Sequence, residues 1–179
     1  MMTFRPARAQ DIPAIMEVIA QAQAFLAQQG IDQWQDGYPD VAIIEEDIRL
    51  GRGYVLAEGT SIAGIASILF DGEPTYDVIR EGAWHTPEPY AAIHRVAVNA
   101  AFRGSGIADT LMQAAEGVIL NKQVYAARID THPQNVVMQR MLLRNGYLQC
   151  GSIYLQRGAE AGAKRIALEK ALGTENVTN

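Results

Sequence analysis

Tyr90-Ala91-Ala92-Ile93-His94-Arg95-Val96-Ala97-Val98-Asn99, then Ala100-Ala101-Phe102-Arg103-Gly104-Ser105-Gly106-Ile107-Ala108, then Asp109 to Leu120, is the stretch whose reading decides the fold. Its first part is β-branched and alternating, which predicts a strand. Its last part sets Ile107, Leu111, Ala115 and Val118 at helical spacing, with Ala108, Met112 and Ile119 beside them, which predicts an amphipathic helix. A short glycine-bearing turn headed by Arg103 joins the two. A strand feeding a helix through such a turn aims free backbone N–H groups, and the positive end of the helix dipole, at one point. A phosphate or pyrophosphate fits there.

Three phosphate-binding patterns compete for this turn. A P-loop requires Gly-Lys-Ser or Gly-Lys-Thr, and the chain has neither. A dinucleotide fingerprint requires glycine or alanine three residues after Gly106, where Asp109 stands, an acid poorly suited to a pyrophosphate. The third pattern, Arg/Gln-x-x-Gly-x-Gly/Ala, is matched throughout by Arg103-Gly104-Ser105-Gly106-Ile107-Ala108. That turn resembles the coenzyme-A loop of the GNAT superfamily of N-acetyltransferases. Read without the resemblance, it is a glycine-rich strand-to-helix turn with no ligand.

With 179 residues and 49% apolar content, the chain has room for one domain with a real core. A formal net charge of −5 argues against nucleic acid and anionic membranes as partners. The lone Cys150 excludes an intramolecular disulfide framework and, in its apolar setting, reads as a buried structural thiol. No leader-like apolar region follows Met1-Met2-Thr3-Phe4-Arg5, and no run of eighteen apolar residues occurs, so a cytoplasmic protein is expected. His85, His94 and His132 lack ligand spacing and no cysteine pair accompanies them, so no metal is expected.

Along the chain, Thr3 to Ala7 opens as a strand, and Asp11 is placed to cap a helix that runs to Gly30. Trp34 and Tyr38 sit in the polar loop 31–39, either facing a ligand pocket or packing as a lid on the core. Asp40 caps a second helix stopped by Gly51 and Gly53. Tyr54 to Glu58 and Ile62 to Phe70 form a hairpin, and 71–89 is a long connection carrying Tyr76, Trp84 and His85. After the central stretch come a strand from Val124 to Asp130, a helix opened by Asn135, and strands Tyr147 to Leu155 and Arg165 to Leu172. No repeat or linker interrupts this order. A single domain is expected over 1–172, with a loose tail at 173–179.

That order of elements is similar to the GNAT fold over nearly the whole chain. The resemblance implies an α/β (α+β) architecture: a central mixed, mostly antiparallel twisted sheet of about seven strands flanked by about four helices. Asn135…Met138…Met141…Gly146-Tyr147 resembles the family's fourth-helix motif. Gly30-Ile31-Asp32-Gln33-Trp34-Gln35, Ile93 to Val98 and Arg128-Ile129-Asp130-Thr131-His132 are similar to a bacterial branch of the superfamily.

The resemblance implies an acetyl-CoA-dependent N-acetyltransferase, with acetyl-CoA as acyl donor and a small amine or amino-acid-like acceptor, a protein amine being the other option. By resemblance, backbone groups of Val96, Ala97 and Val98 meet the pantetheine arm. Arg103, Gly104, Ser105, Gly106, Ile107 and Ala108 hold the pyrophosphate, and Asn135 contacts the coenzyme while capping its helix. Glycines at 104 and 106 matter because a Cβ there would keep phosphate oxygens out of range. The chemistry needs a donor for the developing oxyanion, for which the Val96 N–H is the candidate. It also needs a base to deprotonate an amine of pKa near ~10. His94 is the first candidate, two residues before Val96 and on the same face of a regular strand. The alternative for His94 is a packed, hydrogen-bonded ring without a catalytic role. His132, Asp130 and His85 are weaker candidates.

Trp34, Tyr38, Tyr76 and Trp84 are expected to line the acceptor pocket as an aromatic wall suited to a cation. One departure stands out: where many family members carry a tyrosine seven residues after the asparagine, this chain has Leu142. Either Tyr147 or water replaces that acid, or the thiolate leaves unprotonated. The missing tyrosine supports a rival reading, a non-catalytic acyl-CoA-binding sensor; His94 and the aromatic loops oppose it. Monomer and homodimer are both compatible with the sequence.

Overall fold

The computed structural model describes residues 1–87 and 89–173. The expected loose tail therefore lies, beyond Gly173, outside the described residues. Seven strands form one sheet: β1 (Thr3–Pro6), β2 (Gly53–Glu58), β3 (Ser61–Leu69), β4 (Ala91–Val98), β5 (Ala126–Thr131), β6 (Leu148–Tyr154) and β7 (Lys164–Ala171). Their order is β1-β2-β3-β4-β5-β7-β6. Every pairing is antiparallel except β4 with β5. Four helices flank the sheet: α1 (Ile12–Gln28), α2 (Val41–Arg49), α3 (Ile107–Asn121) and α4 (Val136–Arg144). No described helix is long and apolar enough to cross a membrane.

The period-two pattern of the strands divides the core between the two faces. On one face, Leu111, Met112, Ala115 and Ile119 of α3, with Met141 and Leu142 of α4, pack on Ala66, Ile68, Ile93 and Ile129. On the other, Ile15, Val18 and Ile19 of α1 and Ile44 of α2 cover Val55, Ile62, Ile65 and Ala97. Farther along this second face no helix is available. There the long connection before β4 supplies Tyr76, with Trp84 beside it, against Leu69, Ala92 and Ala167.

Helix starts follow the capping chemistry with one correction. Asp40 accepts from the Ile43 N–H at 3.0 Å, and Asn135 accepts from the Met138 N–H at 3.2 Å. Asp11 does not cap α1 with its side chain. Its carboxylate instead takes Arg5 in two hydrogen bonds, 2.7 and 2.9 Å, and the Arg8 N–H at 2.8 Å. The arginine fork competes better than a first-turn amide.

Residues 80–83 of the connection before β4 form a strap that also guards the sheet's edge. Arg80 and Ser152 exchange backbone hydrogen bonds, both 2.8 Å, and Ala83 donates to Cys150 O at 3.0 Å. The edge strand β6 is thereby covered. The contact is so close that a Cβ on Gly82 would stand 1.9 Å from Cys150 O. Gly82→Ala is expected to cost about 1–3 kcal/mol in urea denaturation. Gly117→Ala, on α3 with nothing within 4 Å of the added Cβ, should instead stabilise by about 0.5–1 kcal/mol. Equal effects at both positions would show that the strap does not press on β6.

Candidate active site

β4 and β5 pair at only two positions, Ala91 with Ala127 and Ala92 with Arg128. Beyond these β5 continues against β7 as far as Thr131, while β4 continues against β3 to Val98. A V opens between them, so the edge of β4 facing β5 carries backbone groups that no strand uses. A bulge lies inside this wedge. Arg95 has φ 53°, and Ala66 alone faces both Arg95 and Val96 in the β3–β4 register. The buried side chain of Arg95 is held by Asp47 of α2 at 2.7 and 2.8 Å, Ser67 Oγ at 3.1 Å and Tyr38 Oη at 2.6 Å.

The bulge corrects the strand reading. Regular alternation sets His94 and Val96 on one face; the extra residue puts them on opposite faces. His94 lies against Tyr76 on the face covered by α1, α2 and the strap, whereas Val96 and Val98 join the α3 core. The Val96 backbone, which the oxyanion role requires, stays at the wedge.

The turn 103–108 closes the broad end. Gly104 and Gly106 adopt φ 77° and 80°, with no atom within 4 Å of a would-be Cβ on either. Among the described residues, no protein acceptor meets the N–H groups of Gly104, Gly106, Ile107 or Ala108. These donors, the start of the fifteen-residue α3 and the open approach over both glycines fit a pyrophosphate. Ser105 is a correction: its N–H and Oγ both turn back to Phe102 O, and it does not line the cleft. The Arg103 guanidinium rests 4.7 Å from the centre of the Phe25 ring at the cleft wall. Asp109 is neutralised by Arg144 and accepts a further hydrogen bond from Asn145 Nδ2, both at 2.7 Å. Asn135 lines the cleft, and its amide donates to Gln33 Oε1 at 3.3 Å.

The cleft holds about 1180 Å³ and runs through the wedge to a chamber bounded by Trp34, Tyr38, Glu73, His94, Asp130 and Arg165. His94 Nε2 lies 3.0 Å from Glu73 Oε2. Burial would raise the Glu73 carboxyl, but the hydrogen bond and charge of His94, joined by the Thr75 donors, outweigh it and hold Glu73 down at about 2. Glu73 is therefore a fixed anion. With Nε2 engaged by that anion, the neutral ring keeps Nδ1 as its acceptor.

Two of the four aromatics expected in the acceptor pocket are corrected. Trp34 and Tyr38 line the cleft, but Tyr76 and Trp84 do not. Tyr76 is 1% exposed; its ring supports His94 from behind, and its hydroxyl donates to Asp130 Oδ1 at 2.6 Å. Burial and the Asp130 charge push Tyr76 well above 10, so it stays a donor. Trp84 packs on Tyr76 and over Arg128. The bare sheet face beyond α1 and α2 draws both rings away from the cleft.

The remaining candidates stand elsewhere. His132 accepts from the Gln134 N–H and is lowered by its burial and by Arg165, outside the cleft wall. His85, Cys150 and Glu169 bring ligand atoms within 4.8 Å of one another, a grouping that sequence spacing did not show. Glu169 is already taken by Arg128, the His85 and Thr86 N–H groups and Thr86 Oγ1. Cys150 is pushed up to about 11 by its burial and by Glu169, which leaves it an inert thiol. Leu142 and Tyr147 are both buried in the α3 core away from the cleft, so Tyr147 does not replace the missing acid. Sequence reasoning missed Glu73 and Arg165, whose only local signals were a Glu-Pro-Thr turn and a charged residue inside an apolar strand.

The sequence profile described as the Acetyltransferase (GNAT) family matches residues 19–147. A GNAT-family acetyltransferase structure from Streptococcus agalactiae 2603 superposes with TM-score 0.86 at 37% identity, covering 97% of this chain and 96% of that one. A GNAT-family acetyltransferase from Listeria monocytogenes 4b F2365 gives TM-score 0.72 at 22% identity, with 96% and 95% coverage. The ribosomal-protein-alanine N-acetyltransferase of Brucella melitensis gives 0.66 at 20% identity, with 95% and 99% coverage, a likeness of fold. No curated protein sequence matches. Profile, overall likeness and the wedge with its glycine turn agree: the chain belongs to the GNAT family of acetyltransferases.

Proposed function

We propose that residues 1–172 act as one domain that moves an acetyl group from acetyl-CoA to a primary amine by direct attack in a ternary complex. The observation that carries this reading is the His94–Glu73 pair in a chamber continuous with the glycine turn. A sensor that only held acyl-CoA would need neither a second chamber nor an oriented imidazole in it. The lone buried thiol and the acidic balance fit a cytoplasmic enzyme acting on a small molecule.

Acetyl-CoA supplies an activated acetyl thioester. The donors of Gly104, Gly106, Ile107 and Ala108, with Arg103, would hold its pyrophosphate, while Val96, Ala97, Val98 and Asn135 would hold its arm. His94 Nδ1 takes the proton that the attacking nitrogen must shed, directly or through water, and Glu73 keeps the ring oriented and stabilises the imidazolium. The Val96 N–H faces the negative charge that builds on the acetyl oxygen. With Leu142 and Tyr147 both in the core, neither serves the leaving sulfur, and a thiol pKa near ~8.5 lets the thiolate depart unprotonated. Trp34 and Tyr38 wall the acceptor.

Calorimetric titration with acetyl-CoA tests the donor site: wild type should bind and Gly104→Glu should not, while both remain folded. Absence of binding to the wild type would remove the transferase and sensor readings together. Once an acceptor is in hand, His94→Ala should lower kcat by about 10²-fold or more with acetyl-CoA binding intact, and Glu73→Gln should lower it less. Unchanged turnover in His94→Ala would exclude His94 as the base. The Glu73 carboxyl also makes stability depend on pH. Its folded pKa, about 2, lies below the unfolded one, so its contribution is full above about pH 5 and is lost as pH falls toward 2. The gap in Tm between wild type and Glu73→Gln should therefore narrow over that window. A constant gap would mean that the carboxylate is not held by His94.

A further inference from the structure

Most charges lining the cleft are spoken for: Arg52 by Asp71, Arg95 by Asp47, Arg144 by Asp109, and His94 by Glu73. Asp130 and Arg165 are different. Asp130 accepts only the neutral hydroxyl of Tyr76 among the described residues, leaving its second oxygen without a partner. Arg165 is 2% exposed, yet its Nη1 donates only to the neighbouring Lys164 O, at 3.0 Å. Its Nη2 lies 3.0 Å from Glu160 Oε2 but out of hydrogen-bond alignment, and has no acceptor. A buried guanidinium with an unmet donor is costly unless something completes it.

The two groups share a face. Asp130 stands opposite Ala167 in the β5–β7 register, so Arg165, two residues before Ala167, is its diagonal neighbour on the same side of the sheet. Diagonal positions lie about 7–8 Å apart, within reach of a long side chain. Even so, the two do not pair; Arg165 makes its ion pair with Glu160 instead. The gap between this anion and this cation therefore belongs to the cleft that His94 also lines.

We propose that this gap is the recognition slot of the acceptor and that the acceptor is a free amino acid. Its ammonium is drawn to Asp130 and its carboxylate to Arg165, where it displaces the misaligned Glu160. Glu160 suits such a placeholder. It sits on the turn between Gly158 and Gly162, and its other oxygen is held by the Trp34 N–H at 3.0 Å. A zwitterion exchanges one anion for another on Arg165, whereas a simple amine leaves that guanidinium with the misaligned Glu160. This inference rests on the acetyltransferase reading above, and it names the acceptor that reading leaves open.

The test uses the full chain with acetyl-CoA and matched pairs: phenylalanine with phenethylamine, leucine with isopentylamine, lysine with cadaverine, and each amino acid with its carboxamide. Thiol release is measured as kcat/KM, and acetyl-CoA binding is followed separately by calorimetry. The expected result is at least tenfold preference for an amino acid over its carboxyl-free partner. That preference should be lost in Arg165→Gln and partly kept in Arg165→Lys. Glu160→Gln, which removes the competing anion, should lower KM for the amino acid, and it tests the slot even where the Arg165 variants fail to fold. Equal or better use of the carboxyl-free amines, or no turnover of either member while acetyl-CoA binds, overturns the amino-acid slot and leaves the donor site standing. Failure to bind acetyl-CoA overturns both.

Discussion

The ion pair between Arg95 and Asp47 fixes the shape of the wedge. A residue with a side chain disfavours a φ of 53° in the middle of a strand, and bulges twist and bend the strand that carries them. Here the cost is offset by two short contacts to Asp47, with Ser67 and Tyr38 completing the guanidinium. Breaking a buried pair of this kind costs about 3–5 kcal/mol, because the survivor keeps its charge without a partner. The pair ties α2, β3, β4 and the loop of Tyr38 to one point. β4 has already parted from β5 after Ala92, and the pair holds the strand past that fork, where its backbone groups face no neighbouring strand.

Much of this was legible in the chain. The strand–turn–helix of 90–120 announced itself by a change of period across two glycines, and Asp40 and Asn135 marked helix starts as capping chemistry requires. What escaped had physical reasons. Nothing in an alternating strand signals that Arg95 will take a left-handed turn, because its reason is Asp47, a residue on another element. Tyr76 and Trp84 looked like pocket aromatics because they stand in a long connection, and long loops usually carry function. Only the finished sheet shows an apolar face that no helix covers. Glu73 reaches His94 from 21 positions away, a distance that local patterns cannot bridge.

Several titratable groups around the cleft are matched with a partner or held in one form by burial. Glu73 is kept ionised by His94, Asp109 by Arg144, and Tyr76 is kept neutral by its burial. In a partly desolvated cleft such arrangements hold each group in one protonation state over a broad pH range. Under the proposed chemistry, that steadiness leaves the imidazole of His94 as the group whose proton moves.

The strap that precedes β4 presses on Cys150 through Gly82 and Ala83 and, earlier in the chain, delivers Glu73 to His94. One continuous piece of backbone thus both covers the sheet edge and carries Glu73 to His94. Such coupling shapes how the protein can diverge. Loops elsewhere around the cleft, such as 155–163, can drift in length and composition toward new acceptors. The strap cannot be shortened or extended without either baring an adhesive sheet margin or shifting the carboxylate, so its length should be inherited as a unit while the opposite rim varies.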